Sequence, residues 1–212
     1  GRWVGQCEAL CEPLTEALRR YVMAGGKLHT DNTPIPVLAP GNKQTKTGRL
    51  WVYVRDDSRS GSKEPPAVWF AYSATREGLH PQKHLAKFKG ILQADAYADF
   101  NDLFVDGSNR EAACMAHARR KLHDIHVKTP SETTTKALAS ISELYAIEAS
   151  IRGKPPEERL RVRQEKAKPL LQAYGAWLRA KLETLSVKSD TTKAINYTLN
   201  QWDALTLYCD DG

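Results

Sequence analysis

Cysteine is scarce: Cys7, Cys11, Cys114 and Cys209 are all that 212 residues carry. Thiols so few and so scattered do not frame a disulfide scaffold, so a reducing cytoplasm is the expected compartment. Long apolar runs are missing as well. No stretch approaches the ~18 consecutive apolar residues that cross a bilayer, which excludes a spanning helix. There is no internal repeat, hence no solenoid array. The opening Gly1-Arg2-Trp3-Val4 is neither a signal peptide nor a natural initiator, and is read as the interior of a longer protein.

What is present is enough for one sizeable core, or one core plus a helical annex, given 41% hydrophobic residues. The formal net charge of +6 favours a polyanionic partner such as nucleic acid, although mild basicity is also common without one.

The chain opens with an amphipathic pattern over residues 3–24, where Val4, Cys7, Leu10, Cys11, Leu14, Leu18, Tyr21 and Val22 recur at spacings of three and four. Pro13 is expected to kink or split this helix, and Gly25-Gly26 to cap it. Cys7 and Cys11 are read as small core residues rather than metal ligands, because no second pair accompanies them. Three strands come next at 27–38, 49–55 and 67–74, joined by polar Gly/Pro/Asn links, which predicts an antiparallel meander. A short helix at 80–89, a strand at 91–94, a helix or turn at 97–104 and a fifth strand at 110–115 lead into a helix from Ala116. From Ser131, an expected N-cap, the pattern is helical, with a break at Gly153-Lys154-Pro155-Pro156, a second helix from Glu157 toward Leu185 with Pro169 a kink, and a third from Asp190 through Trp202 and Leu205. Strands first and helices after predict an α+β fold with a mixed sheet of about five strands and an all-helical insertion. The expected organisation is an N-terminal helix at 1–26, a core at 27–129 and the helical insertion at 130–212.

Two acids end apolar strands: Asp31 in Leu28-His29-Thr30-Asp31 and Asp95 in Leu92-Gln93-Ala94-Asp95. Should strands one and four pair, these carboxylates become neighbours and repel unless cations lie between them. A pair of divalent ions about 3.5–4 Å apart resolves that repulsion and supports phosphoryl transfer. Hard oxygen donors suit Mg²⁺ or Mn²⁺ and not zinc. On spacing alone, ordinary turn or capping aspartates remain the commoner explanation. Asp56, Asp57, Asp99 and Asp102 are read as loop residues. Cys114, His117, His123 and His126 have zinc-like spacing but do not fall on one helix face. His117 is better taken as a phosphate or base contact or a buried polar residue. Arg119, Arg120 and Lys121, with Lys43, Lys46 and Arg49 on the first hairpin, are candidate DNA-backbone contacts, or else a solvated face. Trp177 and Trp202 read as core.

Several blocks carry a resemblance: Leu28-His29-Thr30-Asp31-Asn32-Thr33-Pro34-Ile35-Pro36-Val37-Leu38, Lys46-Thr47-Gly48-Arg49-Leu50-Trp51-Val52-Tyr53, Leu92-Gln93-Ala94-Asp95-Ala96-Tyr97, Cys114-Met115-Ala116-His117-Ala118-Arg119-Arg120-Lys121 and Ile151-Arg152-Gly153-Lys154-Pro155-Pro156-Glu157-Glu158-Arg159. Their order and spacing resemble the insertion-sequence sixty-six family of bacterial transposases over essentially the whole chain. The resemblance implies a ribonuclease-H-like core with a DDE-type site, in which Asp31 and Asp95 are catalytic and hold two Mg²⁺ (or Mn²⁺). It also implies double-stranded DNA as partner, at element ends and target, an oligomer in a synaptic complex, and a nucleoid-associated place in the bacterial cytoplasm. The third acid of that family lies on a helix beyond a stretch like 205–212. Glu148, Glu165 and Glu183 do not match its motif, so a catalytically incomplete piece is expected. Asn32 stands where relatives commonly have an acid. The alternatives are a DNA-binding or assembly remnant, or a nuclease of the same fold.

Overall fold

The computed structural model describes residues 2–38, 41, 44–94, 98–105 and 107–212. The chain divides into two compact units, Gly1–Asp57 with Lys63–Glu111, and Ser58–Ser62 with Ala112–Gly212.

The first unit contains helix α1 (Arg2–Met23), strands β1 (Lys27–Val37), β2 (Lys46–Arg55) and β3 (Ala67–Ser73), helix α2 (Leu79–His84), strand β4 (Gly90–Ala94) and a 3₁₀ segment at Ala98–Phe104. Strand β5 (Asn109–Ala113) completes a five-stranded sheet in the order β3-β2-β1-β4-β5. β1, β2 and β3 form the expected antiparallel meander. β4 lies on the other side of β1 and runs parallel to it, with His29 opposite Gln93. The result is the predicted α+β protein with a mixed sheet, and β1 is its central strand. One sheet face carries the core: Leu28, Trp51, Tyr53, Trp69, Leu92 and Ala94 pack with Val22, Leu85, Phe88 and Phe100.

Gly90 sets the start of β4. Its φ is +149°, and a Cβ there would collide with the Gly26 carbonyl, which accepts a 2.9 Å bond from the Ile91 N–H. Asn109 braces the same corner, accepting from the Gly90 N–H and donating to the Leu103 carbonyl, both at 3.2 Å.

The structure corrects three expectations for α1. The helix runs unbroken through Pro13, where the carbonyl that loses its partner is that of Ala9, an exposed residue that water can serve. Cys7 and Cys11 are exposed rather than core: among the described residues of α1 only Val22, in its last turn, is buried. Trp3, Val4, Leu10 and Leu14 stay largely exposed as well. Gly25 and Gly26 do not form a left-handed cap, since neither has positive φ. Gly25 instead lies under Arg55, whose Cδ would be 3.2 Å from an added Cβ.

The second unit is helical: α3 (Met115–Lys128), α4 (Glu132–Ser150), α5 (Pro156–Val162), α6 (Lys168–Leu182), α7 (Asp190–Asn200) and α8 (Trp202–Thr206). Ser131 caps α4 as foreseen, in a reciprocal capping box with Thr134. The foreseen helix from Glu157 is divided by a π-type turn at Arg163–Ala167, just before Pro169. Widening the turn there accommodates the proline's missing N–H. The third helix likewise stops at Asn200, and Trp202 and Leu205 belong to α8. Leu122, Ala137, Ile141, Tyr174, Leu178, Ala194 and Ile195 form the unit's main core, with Trp177 and Trp202 packed against it. Gly175 is obligatory beside Trp202, since a Cβ would sit 2.6 Å from the indole.

Candidate functional site

Strand alternation explains where Asp31 points. Leu28 and Thr30 are buried in the core, whereas His29, Asp31 and Thr33 are exposed on the opposite sheet face. Asp31 Oδ1 accepts a 2.7 Å hydrogen bond from the Asn32 N–H. Across the sheet Asp31 opposes Val52, which opposes Phe70. One row along, Thr33 opposes Leu50 and Leu50 opposes Tyr72. Phe70 and Tyr72 are 55% and 53% exposed, so the aspartate shares its face with an open aromatic surface two strand spacings away, roughly 10 Å. Tyr72 lies over Gly48, where a Cβ would come within 2.6 Å of its ring. Sequence reading missed this aromatic face; the alternation of Val68, Phe70 and Tyr72 with Trp69 and Ala71 is the signal that marks it.

Asn32 takes the other parity. It is half-buried, and its Oδ1 accepts from Arg49 Nη1 at 3.4 Å. Arg49 is therefore tied to β1, while Lys46 is exposed at the start of β2.

Asp95 and Lys43 lie outside the described residues, as do Tyr97 and the side chain of Asp99. The approach to Asp95 is described. β4 runs parallel beside β1, and its last residue, Ala94, is buried. Of the other acids, Asp102 accepts from Gln82 at 2.7 Å and Asp57 lies 3.8 Å from Arg55.

In the second unit, α3 buries Ala118 and Leu122, which sets Arg120 and Lys121 on its exposed side and leaves Arg119 half-buried. Lys121 Nζ sits 4.4 Å from the centre of the Tyr197 ring. His117 Nδ1 is buried without a hydrogen-bond partner among the described residues. His126 Nδ1 is 2.8 Å from Thr134 Oγ1, at the α4 cap. Among the described residues no three His, Cys, Asp or Glu side chains gather as a metal site. Glu148 is committed elsewhere: Arg163 holds it through bonds of 2.8 and 2.7 Å. Glu165 pairs with Arg161 at 2.7 Å.

Asp31 fits a hard divalent cation in kind. It is an exposed carboxylate on the central strand, with oxygen donors and no cation paired to it in the ion pairs described. One carboxylate does not by itself make a metal site.

Fold and geometry thus define an α+β protein whose central strand presents an acid on an open sheet face. The model described as Transposase IS66 family matches residues 1–212, and the chain belongs to that family. Similar proteins include the uncharacterized protein y4hP of Sinorhizobium fredii (strain NBRC 101917 / NGR234), 37% identical over 225 residues, which cover 99% of this chain and 40% of that protein. The uncharacterized proteins y4qI and y4jD of the same organism are each 34% identical over 218 residues, covering 100% of this chain and 40% and 43% of theirs. The chain spans about two fifths of the length of the curated relatives it matches. Among the described residues no helix is long and apolar enough to cross a membrane.

Proposed function

We propose that this chain carries the central part of a DDE-type transposase site, a ribonuclease-H-like core in which Asp31 and Asp95 act together on DNA ends. One observation supports this most: β1 and β4 run parallel and side by side, with His29 opposite Gln93, and each aspartate comes two residues after that pair in sequence. Membership of the transposase family supports the reaction class.

On this reading Asp31 and Asp95 would hold Mg²⁺ or Mn²⁺. When bound, such ions activate a water or 3′-hydroxyl and stabilise the leaving oxygen of an in-line displacement. Asp31 contributes an anionic oxygen on an open face, so a strand of DNA can reach it without the sheet moving. Lys46, Arg120 and Lys121 are exposed cations suited to phosphate contact. Arg49 and Lys43 in the first unit, and Arg119 and His117 in the second, are the other proposed DNA contacts, each unit taken by itself. Assembly as an oligomer on paired DNA ends belongs to the same reading.

The test of the metal assignment is a Mn²⁺ titration of the isotopically labelled chain followed by NMR. Paramagnetic broadening should centre on the amides of His29 to Thr33 and on Gln93, and Asp31→Ala should remove it. Broadening spread over the surface, or unchanged by Asp31→Ala, overturns the assignment. For the DNA contacts, retardation of a duplex across a salt series should show the slope of log affinity falling by about one for each of Lys46→Gln, Arg120→Gln and Lys121→Gln.

A further inference from the structure

The block from Arg152 to Arg159 has no part in the site around Asp31, yet the fold builds something from it. The turn that ends α4 lies against the short 3₁₀ turn at Ser58–Ser60. The two are joined by a 2.9 Å bond from the Gly153 N–H to the Arg59 carbonyl. Gly61 and Gly153 both have positive φ, +82° and +73°, which lets the two turns close on each other. Between them is a cavity of about 130 Å³ lined by Arg59, Glu148, Arg152 and Arg159.

The charge in this cavity is lopsided. Three arginines and one glutamate line it, and Arg163 already occupies both oxygens of that carboxylate through a pair of hydrogen bonds. Among the described residues Arg159 Nη1 is buried without a hydrogen-bond partner. Burial, and secondarily the charge of Arg163, hold the Arg159 guanidinium below its usual value, while Glu148 and Asp211 pull the other way. A buried guanidinium nitrogen with no acceptor is a donor waiting for one. The cavity has room for about four waters' worth of volume, enough for a small tetrahedral oxyanion. Planar arginine forks match phosphate oxygens better than any other side chain does.

We propose that this cavity binds a phosphate oxyanion, with Arg59, Arg152 and Arg159 donating to it. A backbone phosphate of DNA is one source, and that part rests on the transposase reading above. Free phosphate is the other source of the same chemistry.

Inorganic phosphate is titrated into the chain by calorimetry, with the wild type compared with Arg159→Gln and with the double variant R59Q/R152Q. Arg59 and Arg152 are exposed, so the double variant keeps the fold, and its thermal midpoint checks this. Phosphate affinity should fall at least tenfold in both variants. A duplex is then bound across a salt series. A drop of about one in the salt slope of the variants assigns the site to a DNA phosphate. An unchanged slope, with phosphate affinity lost, assigns it to free phosphate. Absence of phosphate binding in the wild type, or binding equal in all three proteins, overturns the proposal. The phosphate arm uses neither metal nor DNA, so failure of the Asp31 assignment, read in the Mn²⁺ titration, leaves it unaffected.

Discussion

Tyr53 and His84 are joined by a 2.8 Å hydrogen bond between Oη and Nδ1, inside the aromatic core of the sheet. The imidazole meets the rings of Trp51, Tyr53 and Trp69 edge-on, at 6.4, 5.6 and 5.4 Å. Burial, and then the charges of His80, Lys83 and Arg19, push His84 down to about 4. In the unfolded chain the same ring titrates near 6.5. Between those values the unfolded state binds the extra proton, so stability is full above about pH 6.5 and declines as pH falls toward 4. Urea midpoints at pH 7, 5.5 and 4.5 should drop in that order, and His84→Gln should flatten the trend across this window. An unaltered slope in the variant would show that other groups carry the acid sensitivity.

The corner at Gly90 yields a second prediction, on stability. Gly90→Ala meets both a backbone conformation costly for an L-residue and the Gly26 carbonyl. A loss of about 1–3 kcal/mol is expected from the backbone term, with the steric clash adding to it. Because Gly90 fixes where β4 begins, amide exchange should quicken first at Ile91 to Gln93. A urea curve superimposable on wild type would mean that the corner relaxes freely.

A third prediction concerns Arg163, which is 5% exposed. It grips Glu148 with two parallel bonds, donates to the Asp211 carbonyl at 2.8 Å, and lies 5.5 Å from the Tyr208 ring centre. Burial, the largest single influence, opposes its charge, but the Glu148 bonds and charge, with Tyr208 and Asp211, together hold the group above its usual value. Glu148→Gln leaves that buried cation poorly paired and should cost about 3 kcal/mol or more in urea unfolding. Arg163→Lys should recover little, because an ammonium cannot span both carboxylate oxygens.

How legible all this was in the sequence varied with the kind of signal. The meander was readable because Trp51, Tyr53 and Trp69 alternate with smaller residues on strands bounded by turn chemistry. The Ser131 cap was readable because capping is a local interaction. That Asp31 closes an apolar run on a strand was readable, whereas the parallel pairing of β1 with β4 entered only as a condition and is supplied by the fold. The errors were tertiary. The periodicity of α1 is real, but it does not reveal that Trp3, Leu10 and Leu14 find nothing to pack on in the first unit while Val22 does. The π-type turn before Pro169 depends on how the chain absorbs a missing donor, which a proline alone does not specify. The arginine cavity joins residue 59 to residues 152 and 159, a juxtaposition that no local pattern contains.

Parity along β1 supports the most discriminating prediction. Asp31 and Asn32 are adjacent in sequence but belong to opposite sheet faces. Asn32 looks toward the core side and is held by Arg49, while Asp31 shares the open face with Thr33 and the row leading to Phe70. A carboxylate moved by one residue is therefore removed from the open face rather than merely shifted along it. The exchange D31N/N32D keeps net charge and composition constant, and the transferred carboxylate would then sit beside Arg49 as an ion pair. Mn²⁺ broadening at His29 and Gln93 should vanish in the exchange variant as completely as in Asp31→Asn alone. Asn32→Asp by itself should leave the broadening in place, since the Asp31 carboxylate is untouched. Recovery of metal binding in the exchange variant would mean that negative charge near the end of β1, and not the face on which it is presented, is what draws the cation.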